Sequence, residues 1–265
     1  MQFLNLFFHK DKSYELIADI PTPNGIAMDC LSFNNKGYVA IAFNLTQPIR
    51  YAKDGSPLYE IAGNHLRPVQ YFSAPHLLSV YLRHSGNDFF LLHTYTNSED
   101  TPNLYCPYFK WFGTSFNKMG HIPCSNARQL APFSIDYESY VAVANYADQS
   151  GRTNTYSEIY KFSREKKKFQ LFQKIKTNGA VDVKYFYVPY NEARRKHFLV
   201  FGNSITATSM TKNKKSKQEG TPLEADSIFY VYDNGQFIPY QKLSLYAVKK
   251  FLPVQVHVRI FLLFA

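Results

Sequence analysis

Several things are scarce in these 265 residues, and each scarcity removes a class of protein. There are three cysteines, Cys30, Cys106 and Cys124, an odd number that cannot all pair, and none stands in a CxxC or Cys/His spacing that would hold zinc. Cys106 and Cys124 are the pair that could bridge two adjacent strands, and the count leaves the redox compartment open. Long apolar runs are missing too. Phe3 to Phe8 is too short for the hydrophobic segment of a secretion signal and is closed by His9-Lys10-Asp11-Lys12, so it reads as an outer strand. Val254 to Ala265 falls far short of the ~20 residues a membrane helix needs, so no transmembrane segment is expected. Acidic residues are outnumbered, 20 against 30 basic, for a net charge of +10. Such a balance favours acidic partners. The only basic clusters, Lys166 to Lys168 and the run Lys212, Lys214, Lys215 and Lys217, fall in expected loops. They suggest at most a glycosaminoglycan, with no nucleic acid expected.

Aromatics, by contrast, abound: 23 Phe and 21 Tyr. That composition suits many short twisted strands faced with aromatic pairs. Tyr140 to Asn145 is a small and branched apolar run bounded by polar residues, the pattern of a strand buried on both faces. Ser157-Glu158-Ile159-Tyr160-Lys161-Phe162 follows as a second strand with alternating faces. Copies of it occur at Ser56 to Ile61 and Ser227 to Tyr232, with a degenerate one at Tyr108 to Trp111, so an aromatic recurs at Tyr59, Phe109, Tyr160 and Tyr230. Each copy precedes a strand ending near Gln or Lys, at Gln70, Lys118, Gln173 and Gln241. A period near fifty residues, with strands and no helical punctuation, predicts an all-β array of β-propeller blades, because one such unit cannot bury its own hydrophobic face. The repeat units fall near residues 12–62, 65–112, 115–163, 168–233 and 236–253, with 254–265 as an atypical tail: about four full four-stranded antiparallel blades and a partial fifth.

The stretches Phe-Gln-Leu-Phe-Gln-Lys-Ile (169–175), Thr-Asn-Gly-Ala-Val-Asp-Val-Lys-Tyr-Phe (177–186), Tyr-Val-Ala-Val-Ala-Asn (140–145) and Ser-Glu-Ile-Tyr-Lys-Phe (157–162) resemble the EAR (EPTP, epilepsy-associated) repeat. That repeat is found in the leucine-rich glioma-inactivated proteins and in the thrombospondin-type laminin G domain and EAR repeat protein. The resemblance covers roughly residues 12–253. It implies a propeller, usually seven-bladed, in secreted or cell-surface proteins that bind other proteins' ectodomains and are not enzymes. This chain carries about four and a half units, shows no signal peptide and ends in residues that fit no repeat, so a fragment or truncated product is expected, with the blades forming an open arc.

Candidate chemistry is sparse. Asp29 and Asp182 each stand four residues before a Phe, Phe33 and Phe186, and at one shared place in two blades could aim carboxylates at a common channel. There they could help to hold calcium, which takes about six to eight oxygens, or act as the paired acids of a glycosidase. Gln129 and Ala247 break the pattern in other units, so strand-end carboxylates making local hydrogen bonds are the plainer reading, and no cofactor is expected. His65, His76, His84, His93 and His121 share no short metal-binding spacing. Asn44-Leu45-Thr46 is a formal glycosylation sequon, making Asn44 a candidate acceptor.

Overall fold

A computed structural model describes residues 3–10, 13–21, 25–44, 55–63, 65–73, 76–85, 87–95, 105–189, 195–204, 224–246, 248–256 and 259–264. The regular secondary structure among the described residues is all strand. Four four-stranded antiparallel sheets follow one another along the chain, each wound in sequence order. Blade I is β3 (Gly25–Phe33), β4 (Lys36–Phe43), β5 (Ser56–Ala62) and β6 (His65–Phe72). Blade II is β7 (Leu77–Ser85), β8 (Asp88–Tyr95), β9 (Tyr105–Trp111) and β10 (Phe116–Pro123). Blade III is β11 (Ala127–Ile135), β12 (Glu138–Asn145), β13 (Asn154–Ser163) and β14 (Lys168–Asn178). Blade IV is β15 (Ala180–Pro189), β16 (Arg195–Asn203), β17 (Glu224–Asp233) and β18 (Gln236–Tyr246). Two hairpins flank them as two-stranded sheets, β1 (Phe3–Lys10) with β2 (Ser13–Pro21), and β19 (Phe251–Val256) with β20 (Arg259–Phe264).

The architecture is therefore the expected all-β propeller type, but the strands group differently from the sequence units. Sequence units 12–62, 65–112, 115–163 and 168–233 begin each repeat with what is the outermost strand of the preceding sheet. A cyclic pattern has no intrinsic starting point. The chemistry of the turns, rather than the period, decides which strands share hydrogen bonds. Asn34-Asn35, Asp136-Tyr137 and Asn234-Gly235 all have positive φ at both residues, the mirror-image two-residue turn whose twist matches paired strands. They fix the β3–β4, β11–β12 and β17–β18 hairpins. The described part of the "atypical tail", residues 254–256 and 259–264, likewise lies in the β19–β20 hairpin, and Tyr14 to Ile20 pairs with β1 rather than with blade I.

The second strand of every blade is buried on both faces, which is why it reads as a continuous apolar run: Val39 to Phe43, Phe89 to Leu92, Tyr140 to Ala144 and Phe198 to Phe201 are all buried. By contact the chain divides into two compact units, residues 1–101 with 106–122, and 102–105 with 123–265. In the first, blades I and II share a core of Phe33, Tyr38, Leu58, Phe72, Phe89 and Phe116, among others, where Phe33 stacks on Phe89 at 4.8 Å. In the second, blades III and IV share a core that includes Phe133, Tyr140, Ile159, Phe201 and Phe237, and Phe133 stacks on Tyr185 at 4.5 Å. Aromatic pairs at such separations add to simple burial.

Candidate functional site

The polar residues that recur along the chain meet at the joints between blades. Gln70, on the fourth strand of blade I, donates its Nε2 to the Phe116 carbonyl (3.0 Å) and accepts the Phe116 amide on Oε1 (2.8 Å). Gln173 repeats this two-pronged clamp on Phe237, at 2.7 and 2.9 Å, from blade III to blade IV. A side-chain amide suits the task because it offers a donor and an acceptor in one plane. The residue at this register of blade II is Gly120, four after Phe116, and not Lys118. A Cβ at Gly120 would sit 3.1 Å from the Tyr108 ring, so that close approach excludes a clamp side chain.

Asp29 and Asp182 belong to the same class of joint. Asp29 accepts the amide of Leu82 in β7 at 2.7 Å and that of Cys30 at 3.0 Å. Asp182 accepts the amide of Phe251 in β19 at 2.6 Å and pairs with Lys184 at 3.0 Å. Burial raises the Asp29 pKa above the ordinary carboxylate value, and the Leu82 and Cys30 amides oppose that rise. The equivalence read from the sequence is corrected by the sheet register: Asp29 lies opposite Ala40, three residues before the end of β4, whereas Asp182 lies opposite Gly202, one before the end of β16. The two stand two residues apart along their blades, on the same face. The flanking Phe residues misled the alignment because β15 extends further than β3. Among the described residues, no group of three or more His, Cys, Asp or Glu is placed to hold a metal ion.

The other residues singled out from sequence are scattered. Tyr160 and Tyr230 are buried, with the Tyr160 hydroxyl donating to Glu158. Tyr59 is half-buried on the side of blade I that meets Ile20, and Phe109 packs edge-on against Phe72 at 5.3 Å. Cys106 and Cys124 are disulfide-bonded and Cys30 is free and exposed. Sequence reasoning missed why the bridge lies there. In blade III the matching positions are Ser157 and Thr177, whose hydroxyls bond at 2.9 Å, so the disulfide stands where a neighbouring repeat has a hydrogen bond. Asn44 directly follows β4, half-buried, while Leu45, Thr46 and the Lys212–Lys217 run lie outside the described residues.

His93 is fully buried between Phe72, Phe109 and Tyr95, and burial pushes its pKa down to about 3. Its Nε2 has no hydrogen-bond partner.

An open groove of about 410 Å³ lies at the β13–β14 end of blade III. Phe162, Leu171 and Phe172 line it together with Glu138, Lys161 and Arg164, and the exposed Lys166, Lys167 and Lys168 follow in the adjoining turn. Elsewhere several basic side chains pair locally with acids. Arg67 meets Glu60 at 2.8 Å, Lys174 meets Glu158 at 3.4 Å and Lys242 meets Asp226 at 2.7 Å, each a fourth-strand base beside a third-strand acid.

No family model matches the chain. It is similar to the thrombospondin-type laminin G domain and EAR repeat-containing protein of Mus musculus, with 35% identity over 95 residues, which is 36% of this chain and 13% of that protein. The Homo sapiens counterpart is 30% identical over 126 residues, 47% of this chain and 16% of that protein. The matched stretches thus span a small part of these relatives. Among solved structures, a "putative 6-phosphogluconolactonase" of Bacteroides fragilis aligns over 88% of this chain and 60% of its own, with a TM-score of 0.50 and 9% identity, a likeness of fold alone. A Bacteroides ovatus xyloglucan-locus GH43B aligns over 83% of this chain and 40% of its own at a TM-score of 0.44 and 12% identity.

Proposed function

We propose that this EAR-repeat propeller chain is a non-enzymatic interaction module, acting in a secreted or cell-surface protein and binding the ectodomain of another protein. The observation that carries the reading is the use made of its repeated polar side chains. Gln70, Gln173, Asp29 and Asp182 all spend their hydrogen bonds on backbone of a neighbouring blade or hairpin. The same carboxylates would be the acid and base of a glycosidase reading, and there they are tied to structure. The similarity to EAR repeat-containing proteins supports the interaction role, and the disulfide supports an oxidising compartment. Among the described residues no helix is long and apolar enough to cross a membrane. Immobilised chain should capture specific ectodomains from a cell-surface library and should release no sugar from aryl glycosides. Hydrolysis that disappears in Asp29→Ala or Asp182→Ala would replace this reading with the enzymatic one.

A second reading rests on the blade III groove, where Arg164 and the Lys166–Lys168 turn bring positive charge beside an apolar floor, with Lys161 paired to Glu138 at 3.7 Å and Glu165 on the same rim. A sulfated glycosaminoglycan suits that chemistry. Heparin retention should fall to that of a neutral control when Lys166, Lys167 and Lys168 are changed to Ser, and unchanged retention would remove the groove from consideration.

A further inference from the structure

The turn between β11 and β12 places an aromatic side chain where neither the backbone nor the core calls for one. Tyr137 has a φ of +63° and follows Asp136 at +48°. A positive φ is an outlier for a bulky residue, because its Cβ crowds the following carbonyl, whereas asparagine and glycine adopt it readily. The equivalent turn of blade I carries Asn34-Asn35, and the β17–β18 turn carries Asn234-Gly235. The Tyr137 ring gains little from burial either. It is 84% exposed, the most exposed large aromatic or aliphatic side chain among the described residues, with Tyr240 next at 62%. A single exposed ring on a relaxed backbone would need no explanation. Exposure and backbone strain at one residue point to a role outside the fold.

The strained turn is held from two sides. Arg164, in the β13–β14 turn, donates its Nη2 to the Tyr137 carbonyl at 3.1 Å. From β15, the Tyr185 hydroxyl donates to the Ser134 carbonyl at 3.2 Å and meets His197 Nδ1 at 2.6 Å. The Tyr185 ring stacks on Phe133 at 4.5 Å, so the end of β11 that leads into the turn is anchored to blade IV. A ring that projects from a fixed backbone has little besides its own rotation to lose on entering a partner. Tyrosine offers a large apolar face and a hydroxyl for that modest entropic cost. These are the properties of an interface anchor.

The groups beside the ring define what can receive it. Asp136 precedes it and is exposed. Glu138 follows it and pairs with Lys161 at 3.7 Å, both side chains about 40% exposed, which makes a weak ion pair. Arg164 is engaged with the Tyr137 carbonyl, and Lys166 to Lys168 lie beyond it in the β13–β14 turn. Two carboxylates flanking the ring repel a polyanion or an anionic bilayer at that point. A protruding side chain needs a concave receiver, which the surface of a folded protein supplies and a flexible glycan does not. We propose that Tyr137 is the anchor of the protein interaction surface, entering an apolar pocket of a partner ectodomain whose mouth carries Lys or Arg opposite Asp136 and Glu138. The inference rests on the interaction reading above and deepens it, by naming the residue inserted and the chemistry of its receiver.

The parent, Tyr137→Asn, Tyr137→Phe and Asp136→Asn/Glu138→Gln chains are immobilised and offered one panel of purified cell-surface ectodomains. An ectodomain held by the parent should bind Tyr137→Asn about tenfold or more weakly, and Tyr137→Phe, which keeps the ring, should lose less. The double variant should bind more weakly as well, and raised salt should narrow its difference from the parent. Without partner, Tyr137→Asn should melt about 2 to 4 °C above the parent, because asparagine relieves the turn. Equal binding by Tyr137→Asn and the parent overturns the anchor and leaves the interaction reading standing, whereas a parent that holds no ectodomain overturns both. A Tyr137→Asn chain that melts below the parent makes the ring part of the fold and overturns the proposal too. Tighter binding by the double variant overturns the basic mouth. Heparin retention lost in Tyr137→Asn and kept in Tyr137→Phe would make the receiver a glycan instead of a protein.

Discussion

At the scale of single residues, His93 and Thr94 are adjacent side chains whose buried polar atoms go uncompensated. His93 occupies the position that is Ile41, Val143 and Phe201 in the other blades, and Thr94 the position of Ala42, Ala144 and Gly202; His93 Nε2 and Thr94 Oγ1 are both buried and unpartnered. An unpartnered buried polar group costs about 1 to 3 kcal/mol, so His93→Val is expected to stabilise the first unit by an amount in that range, read from a denaturant midpoint. A pH signature accompanies it. The folded pKa is depressed by burial, so the unfolded chain binds the extra proton, and stability declines as pH falls from about 6.5 towards about 3. In His93→Val that share of the acid sensitivity should vanish, and an unchanged pH profile would show that the ring is solvated. Tyr160 is the converse case. Its ring is buried at a register where every blade places an aromatic, and Tyr160→Ala should cost about 3 to 5 kcal/mol by the same measurement.

At the scale of strands and hairpins, the two-pronged glutamines and the disulfide act as equivalent fasteners with different strengths. Gln173→Ala would leave the Phe237 amide and carbonyl without their partners, a loss of about 1 to 3 kcal/mol measurable as a lower melting temperature of the second unit. Replacing Cys106 and Cys124 by the Ser and Thr of blade III should preserve the fold. The chain-entropy term for a loop of this size is about 3 kcal/mol, so the substituted protein should melt lower by that equivalent in oxidising buffer and match the parent under reductant. The strands themselves were legible because alternation and two-sided burial are local properties, visible in runs such as Tyr140 to Asn145. Their grouping was not, because a periodic pattern fixes spacing without phase and the turn residues had to be weighed by backbone sign, as at Asp136-Tyr137. The joints were half legible. Gln70, Gln173 and Gln241 stood out at one register, but Gly120 was hidden, since a glycine offers no side chain to align and Lys118 two residues earlier imitated the pattern. Asp29 and Asp182 were noticed as carboxylates, while their bonds to the backbone of distant strands depend on packing that one strand's sequence does not contain.

At the scale of the molecule, the recurrent polar residues tie blade I to blade II, blade III to blade IV and blade IV to the β19–β20 hairpin. Asp182 is the sharpest case. It is buried, it binds the Phe251 amide, and it sits where Gly202 lets the Phe251 and Val248 side chains approach within 3.1 and 3.2 Å of a Cβ position. Removing its carboxylate strands a buried amide and a nearby ammonium, so the hairpin β19–β20 keeps only its apolar packing of Phe251 and Val248 on blade IV. The most direct measurement is the melting temperature of the parent chain and of Asp182→Ala, each in calcium and in chelator. The account predicts a lower melting temperature in the variant, by about 2 to 4 °C for each kcal/mol lost, and the same value with calcium as with chelator for both proteins. A parent chain stabilised by calcium, with that gain abolished in Asp182→Ala, would contradict it and make the carboxylate a metal ligand.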